Sequence, residues 1–104
     1  MTLTRKVVID EDIHGWAEEN HDMLKPYHTI IKVGDNSESL KRGSPDEAVA
    51  DYCNTNGCDL FTSDVGFYTD CIKVGIKTIQ ITNCGFWEKG QKQIFLVKII
   101  ESLA

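Results

Sequence analysis

Lys6-Val7-Val8-Ile9-Asp10-Glu11-Asp12 is a short apolar run that ends abruptly in three consecutive acids. An uninterrupted run of this kind suits a strand buried on both faces, as in a parallel sheet. A second copy of the pattern comes later, where Asp59-Leu60-Phe61-Thr62-Ser63 runs into Asp64. Between the two, Ser44-Pro45-Asp46-Glu47 has the form of a helix start, with Ser44 as N-cap, Pro45 in the first turn and Glu47 closing a capping box. Acids therefore fall where strands stop and where a helix begins. In an open parallel sheet those places share one edge, which is where such folds bind ligands.

The remaining elements follow from the same patterning. A helix is expected over about Asp12 to Met23, capped by Asp12, with Ile13, Trp16, Ala17 and Met23 inward and Lys25-Pro26 at its end. His28 to Val33 is rich in β-branched residues and reads as the second strand. Gly34 to Gly43 reads as a polar loop. In the helix that opens at Ser44, Val49, Tyr52 and Cys53 give the i, i+3, i+4 spacing of one apolar face, and Asn56-Gly57 stops it. Asp64 would start a third helix carrying Phe67, Cys71 and Val74. Lys77 to Thr82 would form a fourth strand and Asn83-Cys84-Gly85 a turn. From about Trp87 a last helix would place Phe95, Leu96, Ile99, Ile100 and Leu103 in a stripe that covers the sheet in preference to a second subunit.

Strands alternating with helices imply an α/β fold with right-handed crossovers: a short parallel sheet of four strands in the order 2-1-3-4, flanked by helices. In that order Asp10 and Asp64 face the same switch-point crevice.

The chain of 104 residues has room for one modest domain. Hydrophobic residues make up 41%, which supplies a core, yet no apolar run approaches the ~20 residues needed to span a bilayer. With no signal peptide read in Met1 to Lys6, the expected compartment is the cytoplasm. A net charge of −5 argues against a protein that coats nucleic acid by bulk positive charge. It leaves room for a metal-dependent nuclease, because bound cations offset local carboxylates. Basic residues available to a phosphate include Lys25, Lys32, Lys41, Arg42, Lys73, Lys77, Lys89 and Lys92.

The four cysteines, Cys53, Cys58, Cys71 and Cys84, contain no CxxC pair, so neither a zinc ribbon nor a thioredoxin motif is supported. Cys53 and Cys71 read as core residues, and an intracellular setting would keep the thiols reduced. His14, His21 and His28 recur every seven residues, but two helical turns separate the first pair and the third belongs to another element. The repeat is read as chance.

The acids carry the chemistry. Carboxylates gathered on one edge repel one another unless a cation sits among them, and oxygen donors suit Mg²⁺ or Mn²⁺. Asp10, Asp46 or Glu47, and Asp64 are the candidate ligands and catalytic groups, each with a competing structural use as a cap or first-turn acid. Glu11 and Asp12 are weaker candidates, one of them capping the first helix. Thr62 or Ser63 would bind phosphate or position a water. The reaction such a cluster performs is metal-assisted hydrolysis of a phosphodiester, with single-stranded RNA better matched to a shallow edge than a duplex.

At these residues the chain resembles the PIN (PilT N-terminus) nuclease superfamily, in its short PIN-like branch. Asp10-Glu11-Asp12 matches the acidic strand end of that branch, Ser44-Pro45-Asp46-Glu47 its helix start, and Thr62-Ser63-Asp64 its Thr-x-Asp strand end. The correspondence spans about Val7 to Ile81. It implies a small three-layer α/β sandwich and Mg²⁺- or Mn²⁺-dependent RNA cleavage at Asp10, Asp46 or Glu47, and Asp64. Toxins of toxin–antitoxin pairs are frequent in the superfamily, so an antitoxin or other protein partner and a homodimer are also implied. One position departs from the pattern: Gly66 stands where the branch usually has a second Asp, and Asp70 is the acid that would substitute for it. This departure makes a catalytically silent interaction module on the same fold the alternative. A receiver-like phosphoacceptor domain is the second alternative, with Asp64 as acceptor, although only one strand is read after Asp64 where a receiver needs two.

Overall fold

The computed structural model describes residues 6–34, 40–43, 45–63, 66, 73 and 75–102, and for residues 46, 76–78 and 99–102 the backbone alone. Strand β1 (Lys6–Ile9) leads through a 3-10 turn (Glu11–Ile13) into the short helix α1 (His14–Glu19) and a second 3-10 turn (His21–Leu24). Strand β2 (Thr29–Lys32), helix α2 (Asp46–Asn56) and strand β3 (Cys58–Thr62) follow. The chain then forms two long strands, β4 (Ile76–Trp87) and β5 (Lys92–Ser102).

The five strands make one sheet in the order β2-β1-β3-β5-β4. β1 pairs in parallel with β2 and with β3, in the registers Val8↔Ile31 and Val8↔Leu60. β5 pairs antiparallel with both β3 and β4. The α/β class and the 2-1-3 core of the expected order are therefore present, but the sheet is mixed and five-stranded, not parallel and four-stranded. The chain from Lys92 onward is a strand, not the expected last helix. Its apolar residues fit a helical stripe, but Ile94-Phe95-Leu96-Val97 is equally a run for a strand buried on both faces, and periodicity alone does not separate the two. β-branched and aromatic side chains favour the strand.

The hairpin moves two further expected features. Asn83-Cys84-Gly85 is not the turn; it lies inside β4 at a register shift, where Gly85 has φ +109 and one extra residue is accommodated as a bulge. The reversal comes at Glu88–Gln91, with Gln91 at φ +52. β5 returns beside β3, and β4 becomes the sheet edge.

Two cores lie on opposite faces because neighbouring residues of a strand point opposite ways. Val8, Leu60 and Val97 face α2 and pack with Val49, Ala50 and Cys53, closed by Val33 and Leu40. Val7, Ile9, Phe61 and Ile94 face α1 and pack with Ile13, Trp16, Ala17 and Leu24. Trp16 tilts onto Phe61 with ring centroids 5.0 Å apart. Ile13, Trp16 and Ala17 are inward as their spacing predicted, whereas Met23 is 39% exposed and Leu24 takes the buried place.

α2 ends as expected, with Gly57 at φ +66 in the left-handed conformation that glycine tolerates. Its start differs by one residue: Pro45 is the N-cap and no side chain caps it, so Glu47 closes no capping box. Ser44 and the third helix expected from Asp64, with Phe67, Asp70, Cys71 and Val74, lie outside the described residues. Cys53 and Cys58 are buried and Cys84 half-buried. No described helix is long and apolar enough to cross a membrane.

Candidate functional site

The last residues of β1 are anchored on both sides. Val33 N–H donates to the Ile9 carbonyl at 3.0 Å, and Asp10 N–H donates to the Phe61 carbonyl at 3.0 Å. Asp10 is thereby held at the strand end, beside the end of β3. Its Oδ2 accepts from the Thr62 hydroxyl at 2.7 Å and its Oδ1 from Glu11 N–H at 2.8 Å. The second bond makes Asp10 the cap of the 3-10 turn, the task the sequence had suggested for Asp12. A carboxylate that receives hydrogen bonds from a hydroxyl and a backbone amide is fixed in place without a cation between them.

Asp12 is instead turned toward the other strand ends. Its Oδ2 accepts from the Ser63 hydroxyl at 3.0 Å and from Lys92 Nζ at 2.7 Å. Lys92 opens β5, and because β5 runs antiparallel to β3 its first residue arrives beside the last residues of β3. A helix over this segment would not bring Lys92, one of the cations available to a phosphate, to that place. Glu11 points the opposite way, and its Oε1 accepts from Gly43 N–H at 2.8 Å.

The other predicted acids divide. Glu47 is in the first turn of α2, exposed, with Oε1 3.7 Å from Lys73 Nζ. The backbone of Asp46 opens α2, but its side chain lies outside the described part of the molecule, as do Asp64 and Asp70 altogether. β3 ends at Thr62, two residues before Asp64. Among the described residues no group of three or more His, Cys, Asp or Glu side chains is arranged to hold a metal ion. The donors that do meet at the β1–β3 edge are carboxylate and hydroxyl oxygens, from Asp10, Asp12, Thr62 and Ser63. Oxygen donors are the kind that hard divalent cations such as Mg²⁺ and Mn²⁺ take.

Beside this edge is a cleft of about 210 Å³ lined by Glu11, His14, Val33, Gly34 and Arg42. The histidine repeat does not converge: His14 borders this cleft, with Nε2 covered and lacking a hydrogen-bond partner, while His21 and His28 are exposed elsewhere. Sequence reading missed the cleft because Gly34 and Arg42 come from opposite ends of the polar loop, which the Gly34 N–H to Leu40 carbonyl bond of 3.0 Å closes.

No known family, curated protein or solved structure matches the chain.

Proposed function

We propose that the chain is a metal-dependent ribonuclease of the short PIN-like kind, acting on single-stranded RNA at the C-terminal edge of β1 and β3. The observation that carries this reading is Asp10, half-buried at the end of β1 and tied to the end of β3 by the Thr62 hydroxyl at 2.7 Å. In the order β2-β1-β3 the chain turns back between β1 and β3, the usual position for a ligand in an open α/β fold. Asp10 would hold Mg²⁺ or Mn²⁺ together with acids from Asp46, Glu47 and Asp64. A bound divalent cation supplies positive charge against the phosphate and acidity to the attacking water. Lys92, 2.7 Å from Asp12, brings a cation to the same edge, where it would meet the RNA backbone. In this reading the partners are RNA and, as for toxin-type relatives of that superfamily, an inhibitory protein or a second copy of the chain.

Mn²⁺ titration of isotope-labelled protein tests it. Paramagnetic broadening should centre on Asp10 and Thr62, and the protein should cleave single-stranded RNA. Asp10→Asn should lower cleavage at least about a hundredfold, since several kcal/mol of transition-state stabilisation would go with the ion. Absence of both broadening and cleavage would sink the proposal.

A second reading, a silent interaction module on the same fold, is favoured by the acids already committed within the protein: Asp12 to Lys92, Glu47 to Lys73 and Glu11 to Gly43 N–H. In that case Asp10→Asn would leave Mn²⁺ affinity at its background value. The mixed sheet departs from the doubly wound parallel sheet of a receiver just as it departs from the parallel sheet expected above, so it does not separate the two readings.

A further inference from the structure

The cleft beside Asp10 holds two opposite charges that do not neutralise each other. Glu11 and Arg42 both line it, yet among the described residues no ion pair joins them. The Glu11 carboxylate is fixed, because Gly43 N–H holds Oε1 at 2.8 Å. Gly34, at φ +85, makes that position possible: a Cβ there would stand 3.0 Å from Glu11 Oε1. Arg42 is exposed, and its guanidinium carries a planar fork of N–H donors.

We infer that this cleft is a guanine-binding subsite. A phosphate would be repelled by Glu11, and a simple cation by Arg42. A ligand that satisfies both presents acceptors to Arg42 and donors to Glu11. Arginine pairs bidentately with the O6 and N7 acceptors of guanine. The adjoining Watson–Crick edge of guanine carries two adjacent donors, N1–H and the N2 amino group, which a carboxylate accepts together. Adenine, cytosine and uracil all lack that donor pair. The volume of about 210 Å³ falls below the range of about 300–1,000 Å³ that drug-sized ligands occupy, which suits a ligand of the size of a single base. Bases splayed out of single-stranded RNA are read on these edges. The choice of ligand rests on the ribonuclease reading. Because Asp10 is the neighbour of Glu11, a guanine held here would direct cleavage to a phosphodiester next to a guanosine.

The test has two independent arms. In the first, metal-free protein is titrated with guanosine, inosine, adenosine, cytidine and uridine, following the Gly34 and Gly43 amides by NMR. Guanosine should bind most tightly, inosine less well for want of the N2 amino group. Glu11→Gln, which keeps an acceptor for Gly43, and the exposed Arg42→Lys should each weaken guanosine by roughly tenfold. Equal binding of all the nucleosides, or guanosine affinity unchanged in both variants, overturns the inference. In the second arm, cuts made in mixed-sequence single-stranded RNA with Mn²⁺ are mapped. Guanosine binding without RNA cleavage leaves the subsite standing and removes the ribonuclease reading. Cleavage indifferent to guanosine, with no nucleoside binding, does the reverse.

Discussion

Trp87 shows how one side chain organises its surroundings. Its indole N–H donates to Glu19 at 2.9 Å, and Lys89 Nζ reaches the other carboxylate oxygen of Glu19 at 2.8 Å. The hydrogen bond from Lys89, and then that from Trp87, hold the Glu19 carboxyl below its ordinary value of 4.5. The same bond from the other side raises the Lys89 ammonium above 10.5. A lowered carboxyl pKa contributes stability that is present above 4.5 and lost as the pH falls through the folded value. A raised lysine pKa contributes below 10.5 and loses its contribution as the pH rises through the folded value. Glu19 and Lys89 both sit at the surface, so the pair tunes local order more than global stability. The indole emission should therefore shift as the pH is lowered through the region below 4.5, and Glu19→Gln should abolish that acid step. An unchanged step in the variant would assign it to another carboxylate. Asp59 is the contrasting case. It is wholly buried in β3, and Tyr27 OH donates to it at 2.8 Å, as the cost of removing a carboxylate from water demands. Its burial was invisible in the sequence, where it reads only as a polar residue opening a strand.

At the scale of elements, the β4–β5 hairpin decides the architecture, and its turn is fitted to Trp87. A Cβ added at Gly90 would run into the six-membered ring of Trp87, and one at Gly15 would lie 3.0 Å from the same ring. The indole is thus wedged between α1 and the hairpin turn and locks the helix to the sheet. Gly90→Ala should displace the ring and destabilise the fold by about 1–3 kcal/mol, the usual cost of overfilling a packed contact, read as a lower urea midpoint. A midpoint equal to wild type would mean that the ring has room to move. The hairpin also explains where the sequence misled. Gly85 resembles a turn residue but serves a bulge, and the true reversal is at Glu88–Gln91, with Gln91 at φ +52. Neither Gly85 nor Gly90 announces its role in the sequence; only the pairing of β4 with β5 ranks them.

Across the whole molecule, hydrogen bonding is unequal. β1 and β3 are paired on both sides, and β3 is buried along its full length, while β2 and β4 form the two sheet edges. Amide exchange should be slowest in Val7, Val8, Leu60 and Phe61 and much faster in β2, because edge strands open without unfolding the centre. Faster exchange in β1 than in β2 would contradict this order. The sequence by itself determined the β1-β2-β3 core, the inward faces of α1 and α2 and the helix stop at Gly57, since these depend on local apolar patterning and on backbone preferences of single residues. It also singled out Asp10, because a run of acids directly after a buried strand can lie only at the strand's end. The direction of β5, the meeting of Lys92 with Asp12, and the cleft shared by Glu11 and Arg42 were decided only in the tertiary structure. Each depends on segments remote along the chain being brought together by strand pairing, and an apolar run carries no record of which neighbour it will pair with.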